Sequence, residues 1–281
     1  MAAYAIWGVV PAYWKTLVAV PADELTAWRA LWAAAVGLVL VTATGSLAAL
    51  RSALADLRLV LPILVSGLLI GVNWLVFIYA VETNRVSHTS LGYYVNPLVS
   101  VALGCLVLRE RLRPAQGVAV AVAATGVAWW TVSLGGLPWI AAVLAGSFAL
   151  YGLVRKLVPV PALVGFAMEM LLLAPWAAAF LASRPELVLG DAPASRHAWV
   201  AVSGVVTAAP LVCFASAARR LPLVVLGLFQ YIAPSLALGL ALFAYGEPFT
   251  PDHGVSFGCV ALALAIFSAD AWVAARRAGP S

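Results

Sequence analysis

Charge is the scarcest feature of this sequence. Only 10% of its 281 residues are Asp, Glu, Lys or Arg, whereas 64% are hydrophobic. A soluble globular domain carries about 25% charged residues, so this composition excludes a chain whose surface faces water. The sequence therefore predicts an integral membrane protein whose partner is the lipid bilayer. The net charge of +5 is then loop charge that sets orientation, and we expect no nucleic-acid partner.

The chain is also poor in residues that hold metals or perform covalent chemistry. Cys105, Cys213 and Cys259 each lie inside an apolar run without CxxC spacing, which is typical of packing residues. The three histidines are scattered and lack metal-ligand spacing. The sequence has neither a glycine-rich phosphate loop nor a Ser-His-Asp set nor a carboxylate pair. We therefore predict no cofactor, no bound metal and no enzymatic activity.

Long apolar stretches dominate what is present. Stretches of about 20 residues, the length that crosses a bilayer, alternate with short polar breaks. The first stretch lacks the basic n-region of a signal peptide. Because a span that starts at residue 3 is unusual, we expect the natural start to lie upstream or the chain to be trimmed. The sequence predicts ten transmembrane helices and no soluble domain, with spans at 3–20, 24–44, 59–81, 87–108, 115–133, 138–157, 161–182, 197–217, 222–244 and 254–274.

The cations in the breaks predict the orientation of these spans. Positively charged loops stay in the cytoplasm. One side of the predicted membrane collects three arginines, Arg85, Arg184 and Arg196. The other side collects eleven cations and is therefore predicted to be cytoplasmic together with both termini: Arg51, Arg58, Arg109, Arg111, Arg113, Arg155, Lys156, Arg219, Arg220, Arg276 and Arg277.

The chain repeats part of its own sequence. A shift of 137 residues places 94–97 (YVNP) on 231–234 (YIAP), Glu110 on Glu247, and Pro114 on Pro251. Each half then holds five spans, and an odd number means that the second half enters the membrane in the opposite direction. We therefore predict an all-α polytopic membrane protein built as two five-helix inverted repeats, 1–135 and 136–281. Inverted repeats are typical of secondary transporters, whose binding site lies near the midplane between the halves.

Several stretches resemble the EamA-type drug/metabolite transporter superfamily, specifically its RarD branch. They are IWGVVPAYWK (6–15), VPADELTAWR (20–29), NWLVFIYAV (73–81), SLGYYVNPL (90–98), YGLVRK (151–156) and LGLFQYIAPSLALGLALFAYGE (226–247). The resemblance implies a ten-helix, 5+5 inverted-repeat carrier of the prokaryotic inner membrane, of a type described as a chloramphenicol-sensitivity protein. It does not imply a particular substrate.

Two cations interrupt the first two spans. Lys15 and Arg29 lie seven residues either side of position 22, so a helical hairpin places them at equal depth. A cation at the centre of a membrane helix costs about 2.5–3.5 kcal/mol, so both side chains are expected to turn inward. We predict that they share a cavity and bind an anionic or zwitterionic substrate group. The alternative is that both snorkel to the outer surface beside Asp23 and Glu24.

Glu169 is the acid that lies deepest inside a predicted span. It is a candidate for proton coupling, because burial favours the protonated carboxyl whereas a nearby cation favours the carboxylate. Its structural alternative is to neutralise Arg29 or Lys15.

Other polar and aromatic residues inside spans complete the candidate site. Amides inside a membrane require partners, so each contacts either another helix or the substrate. Two prolines at equivalent places of the repeat, Pro97 and Pro234, suit a hinge or a broken helix. Aromatic side chains there either line a cavity or pack between helices. Besides Lys15, Arg29 and Glu169, the candidate substrate-binding residues are Asn73, Trp74, Tyr94, Asn96, Gln230 and Tyr231.

These features favour a secondary carrier, with export of a small organic metabolite or drug-like molecule as the predicted activity. An intramembrane enzyme would need catalytic groups that the sequence lacks. A non-transporting assembly subunit tolerates the repeat but does not explain the charges inside the spans. A channel-like facilitator remains an alternative, since inverted repeats alone do not require gating.

Overall fold

The computed structural model describes residues 1–17, 19–83, 85–239 and 251–277, which form helices joined by short turns. Twelve helices are present in these ranges: α1 (Ala2–Lys15), α2 (Ala22–Ala43), α3 (Leu47–Ala55), α4 (Leu57–Glu82), α5 (Val86–Leu106), α6 (Pro114–Ser133), α7 (Trp139–Leu157), α8 (Ala162–Ala182), α9 (Ala194–Arg220), α10 (Leu223–Gln230), α11 (Ile232–Gly239) and α12 (Pro251–Arg277).

Prolines set many of the helix starts. Five helices, α2, α7, α8, α9 and α10, begin directly after a proline. Proline fixes φ near its helical value and lacks an N–H, and neither property is a disadvantage at the point where a helix begins. The short prolyl breaks between apolar stretches in the sequence are therefore helix starts.

The helices have the apolar character of membrane spans. Within the described ranges, seven helices are long and apolar enough to cross a bilayer, namely α2, α4, α6, α7, α8, α9 and α12. Helix α1 has 14 residues, and the apolar helical stretch 223–236 is likewise shorter than a full span. The predicted all-helical membrane fold is confirmed at this level. The count of ten crossings stays a prediction.

The helices pack in a small set of extensive contacts. Helix α2 lies against α8 and α9, α5 against α7 and α10, and α6 against α12. Helix α1 contacts α9 and α11, and α4 contacts α7 and α8. One apolar cluster at these contacts contains the rings of Tyr4, Tyr151 and Phe214. The Tyr151 and Phe214 rings stack with their centroids 5.7 Å apart.

The first predicted span is longer than the helix that it forms. The prediction was 3–20, whereas α1 ends at Lys15. The Thr16 hydroxyl donates to the carbonyl of Tyr13 at 2.7 Å, and the buried Leu17 and Val20 pack beneath the turn that follows. A threonine that bonds the preceding carbonyl competes with continued helix formation. Lys15 is consequently the last helical residue, whereas the predicted span placed it five residues before the helix end.

The ninth predicted span is not one helix. The prediction was 222–244, whereas the structure has α10 and α11 separated at Tyr231. Pro234 has no N–H to donate to the carbonyl of Gln230, and its ring crowds that carbonyl, so the helix breaks in the turn before the proline. Residues 240–244 of this span, and Glu247 of the repeat, lie outside the described residues.

Helix α3 was not predicted. It contains nine residues between the second and third predicted spans. Leu50 and Ala53 belong to a core cluster that includes Val160, just before α8, and Val164 in its first turn, whereas Arg51 is exposed. The leucines at 47, 50 and 54 carry the amphipathic spacing that could have indicated this helix.

Candidate functional site

Arg29 lies on the second turn of α2 between aromatic rings. Its guanidinium carbon is 3.8 Å from the ring centroid of Trp74 on α4 and 5.3 Å from that of Trp14 on α1. Nε and Nη2 are buried and donate no hydrogen bond to any described residue. Cation–π contacts worth up to about 2 kcal/mol each offset part of this desolvation, and two donors remain unsatisfied.

Lys15 stands in a different environment. It is the last residue of α1 and its side chain is exposed. A cation at a helix C-terminus is stabilised by the helix dipole. The two acids in the first turn of α2 are bonded to other residues. Asp23 pairs with Arg184, and Glu24 accepts the backbone N–H groups of Val188 and Leu189 at 2.9 Å each. A cavity shared by Lys15 and Arg29 stays a prediction.

Glu169 is completely buried and bonded to two other helices. Its Oε1 accepts the hydroxyl of Ser66 on α4 at 2.5 Å, and its Oε2 accepts the hydroxyl of Tyr151 on α7 at 3.4 Å. The Nε of Arg155 on α7 lies 3.5 Å from Oε1. The expected neutralising partner was Arg29 or Lys15, whereas the ion pair is formed with Arg155, because the α7–α8 hairpin holds that side chain directly over α8.

Sequence reasoning missed the role of Arg155, which was counted as a loop cation. Its side chain is only 1% exposed, and Nη2 donates to the carbonyl of Ala162 at 3.2 Å. Gly165 admits the guanidinium, since a Cβ at this position would overlap its nitrogens. A signal for Arg155 was present in the sequence: a shift of 140 places KTLVAVPA (15–22) on RKLVPVPA (155–162), with five of eight residues identical. The same shift aligns Lys15 with Arg155, and Arg29 with Glu169.

A second polar group lies where α5 meets α10. The amide Nε2 of Gln230 donates to the hydroxyl of Ser100 at 3.2 Å, and the hydroxyl of Tyr231 donates to the carbonyl of Tyr94 at 3.2 Å. Asn96, one turn before Ser100, is buried, and its Oδ1 accepts no hydrogen bond from any described residue. Four of the predicted site residues, Tyr94, Asn96, Gln230 and Tyr231, are therefore brought together at one contact between the predicted halves.

Asn73 is engaged between helices. Its Nδ2 donates to the carbonyl of Leu144 at 2.9 Å and to the hydroxyl of Ser147 at 3.0 Å, both on α7. These bonds fit the interhelical alternative. Trp74, the next residue, instead covers Arg29. A role for Asn73 in binding stays a prediction.

The two prolines at equivalent places of the repeat have different local structures. Pro97 lies inside the continuous helix α5, whereas Pro234 follows the break between α10 and α11. Gly227 on α10 lets the two helices approach closely here, because a Cβ at Gly227 would lie 2.9 Å from the carbonyl oxygen of Pro97. The α5–α10 contact thus combines Gly227, Pro97 and the polar group described above.

Known proteins share this sequence over nearly its whole length. The chain is 43% identical to an uncharacterised transporter of Pseudomonas aeruginosa, over 99% of this chain and 94% of that protein. It is 42% identical to protein RarD of Escherichia coli, over 99% of this chain and 95% of that protein. The model of the EamA-like transporter family matches residues 1–132. This chain belongs to the EamA-like transporter family. The RarD branch of that family is confirmed.

The fold of this EamA-like transporter also occurs in a solved structure. A crystal structure whose chain is 23% identical superposes with a TM-score of 0.72, over 94% of both chains. A more distant relative, 30% identical over 94% of this chain and 90% of its own length, is the chloramphenicol-sensitive protein RarD of Pseudomonas aeruginosa. The EamA-like transporter is therefore a membrane transporter of the drug/metabolite type, a multi-pass protein of the bacterial inner membrane.

Proposed function

We propose that this EamA-like transporter is a secondary carrier that exports a small organic metabolite or drug-like molecule by alternating access. In this proposal ten helices form two inverted five-helix repeats, 1–135 and 136–281, with both termini in the cytoplasm. The substrate binds near the midplane between them, at Lys15, Arg29, Asn73, Trp74, Tyr94, Asn96, Glu169, Gln230 and Tyr231. Pro97 and Pro234 act as hinges. A proton gradient drives the cycle through Glu169.

Helix packing supports the two repeats and is the observation that carries the proposal. Exchange of the halves replaces α1 by α7, α2 by α8, α4 by α9, α5 by α10 with α11, and α6 by α12. The contacts α2–α8, α5–α10 and α6–α12 map onto themselves under this exchange. Six further contacts map onto one another in pairs: α1–α11 onto α7–α5, α2–α9 onto α8–α4, and α4–α7 onto α9–α1. The family match to 1–132 ends close to the proposed boundary.

The state of Arg29 supports an anionic or zwitterionic substrate. In the α7–α8 hairpin, the buried charge of Arg155 is neutralised within the hairpin, since Arg155 pairs with Glu169. In the α1–α2 hairpin, the position equivalent to Glu169 is occupied by a cation, Arg29. Two buried nitrogens of its guanidinium meet no acceptor in the described structure. Unsatisfied charged donors in a low-dielectric site are costly. A substrate carboxylate or similar anion would satisfy them.

Glu169 is the proposed proton site because it is buried and contacts both halves. Ser66 belongs to the first proposed repeat, and Tyr151 and Arg155 belong to the second. Protonation of the carboxyl would remove its attraction to Arg155 and so couple a proton to the contact between α4, α7 and α8.

Uptake into proteoliposomes tests the function. Chloramphenicol, suggested by the name of the relative, and a panel of small carboxylates with their neutral amides are the test compounds. A carrier gives saturable uptake that a proton gradient increases, and Glu169→Gln abolishes the increase. Glu24→Gln, at a carboxylate outside the Glu169 network, is the matched control and leaves the increase intact.

Other outcomes of the uptake experiment would indicate the alternative functions. Uptake that does not saturate indicates a channel-like facilitator, and no uptake of any compound indicates an assembly subunit. A gradient effect that survives in Glu169→Gln assigns Glu169 to structural pairing alone.

A further inference from the structure

Glu110, the fourth residue after α5, is bonded to the start of α10. Its Oε1 accepts the backbone N–H of Leu223 and its Oε2 that of Val224, both at 2.8 Å. These are the first two residues of α10, whose N–H groups have no partner inside the helix. The positive end of the helix dipole adds to the attraction for the carboxylate. Glu110 thus joins the first proposed repeat to the second by two charge-assisted hydrogen bonds.

The surrounding backbone is shaped to present this carboxylate. Arg109 has φ of +55°, a left-handed conformation that is uncommon for a residue with a side chain, and the N–H of Glu110 returns to the carbonyl of Gly104 at 3.0 Å. Gly104 itself leaves room, since a Cβ there would lie 2.9 Å from Glu110 Oε2 and 3.2 Å from the backbone nitrogen of Val224. A left-handed arginine persists only where the surroundings fix it.

Lys156 extends the same contact to α7 and α9. Its Nζ lies 3.7 Å from Glu110 Oε1 and donates to the carbonyl of Leu221 at 2.5 Å. Both side chains are mostly buried but retain some exposure, 19% for Lys156 and 15% for Glu110. A polar contact that water can reach exchanges its bonds for water at low cost, unlike a packed apolar one.

We propose that Glu110 is a cytoplasmic latch: its bonds to α10 close this side of the transporter, and their release opens it. The side follows from Arg109, Arg111, Arg219 and Arg220, exposed cations that surround the contact and belong to the group predicted to be cytoplasmic. The inference rests on the proposed alternating access. One half that rocks against the other must break the contacts between them on one side at a time, and α5–α10 is a contact between equivalent helices.

Hydrogen exchange measured by mass spectrometry on the full chain in lipid nanodiscs tests the latch without a substrate. Glu110→Gln retains the shape of the side chain but loses the charge and one of the two acceptors. We expect the cytoplasmic ends of both helices, 101–106 of α5 and 223–228 of α10, to exchange about tenfold faster, because bonds to a charged acceptor are worth at least that factor. The opposite ends, 86–93 and 232–238, should not change.

Two further variants separate a latch from a helix cap. Gly104→Ala keeps the carboxylate but displaces it, and we expect the same pattern of faster exchange. Glu24→Gln weakens an equivalent carboxylate contact, between the first turn of α2 and the N–H groups of Val188 and Leu189, and should leave 101–106 and 223–228 unchanged. Faster exchange confined to 223 and 224 would make Glu110 a static cap and overturn the latch, as would uniformly faster exchange of the whole chain. Faster exchange at the cytoplasmic ends of α5 and α10, in a protein that transports nothing, would retain the latch and reject the carrier.

Discussion

At the residue scale, two hairpins of similar sequence treat buried charge in opposite ways. In the α7–α8 hairpin, Arg155 and Glu169 neutralise each other and are sealed from solvent. In the α1–α2 hairpin, the aligned positions are Lys15 and Arg29, and the Arg29 guanidinium is held by aromatic faces. Because a buried unpaired cation is costly and a buried pair is far less so, the first hairpin retains the capacity to attract an anion.

Substitution of Arg29 should therefore change substrate charge preference. We expect Arg29→Gln to weaken saturable uptake of carboxylate compounds about tenfold or more, with little change for their neutral amides, since a charge-assisted bond is lost. Arg29→Lys should also weaken uptake of the carboxylates, because the planar guanidinium that can donate two parallel hydrogen bonds is lost although the charge remains. Arg220→Gln, at an exposed cation on the end of α9, is the control. Equal losses for carboxylates and amides would remove Arg29 from anion recognition.

A second residue-scale prediction concerns stability. Gly165→Ala places a methyl group where the Arg155 guanidinium lies, so the arginine must move away from Glu169. We expect a loss of about 1–3 kcal/mol, as for other overpacked sites, measured as a lower thermal midpoint in detergent. Gly117→Ala on α6, where a Cβ would meet open space, should keep or raise the midpoint. An unchanged midpoint in Gly165→Ala would mean that the buried pair contributes little to folding.

At the element scale, composition and proline position predicted most helices, and local side-chain bonding decided where they end. Apolar length alone extended α1 to residue 20, because the sequence does not reveal that Thr16 will bond the Tyr13 carbonyl. The break at Tyr231 follows from Pro234, yet Pro97 in the equivalent place leaves α5 continuous. The sequence could not distinguish these prolines, since the difference depends on how neighbouring helices support the freed carbonyl.

The broken helix supports a prediction about rate. Pro234→Ala supplies an N–H that can bond the carbonyl of Gln230 and make α10 and α11 continuous. We expect slower hydrogen exchange over 230–235 and transport turnover reduced about tenfold, with substrate affinity little changed. Pro175→Ala, at a proline inside the continuous helix α8, should alter turnover less. Normal turnover together with slower exchange would show that the break is not a working hinge.

At the scale of the whole molecule, the helix contacts support the proposed repeat over more of the chain than the aligned residues do. The predicted repeat rested on a few aligned residues, among them Tyr94, Pro97, Glu110 and Pro114, whereas the contacts α2–α8, α5–α10 and α6–α12 each join helices that the proposed repeat makes equivalent. The site is harder to predict than the fold, because it depends on which buried charge meets which. Arg155 illustrates this: positive-inside counting placed it in a loop, whereas the structure places its guanidinium over Gly165 in the interior, paired with Glu169.

The proposed topology has a direct test on the intact chain. Single cysteines introduced at Arg113 and at Arg184, in a background without the three native cysteines, should react with an impermeant maleimide from opposite sides of the membrane. The position at 113 should react in inside-out vesicles, and that at 184 in whole cells with a permeabilised outer membrane. Reaction of both from one side would exclude the inverted repeat as proposed.

The packing of the Arg155 guanidinium against Gly165 also limits how this sequence can change over generations. The guanidinium occupies the volume that any side chain at 165 would need, so the two positions are inherited as a pair. A lineage can lose the arginine first and enlarge the glycine afterwards, whereas the reverse order passes through an unstable intermediate. Relatives with a larger residue at the position equivalent to Gly165 should therefore lack the arginine, and should have replaced the partner acid that it neutralises.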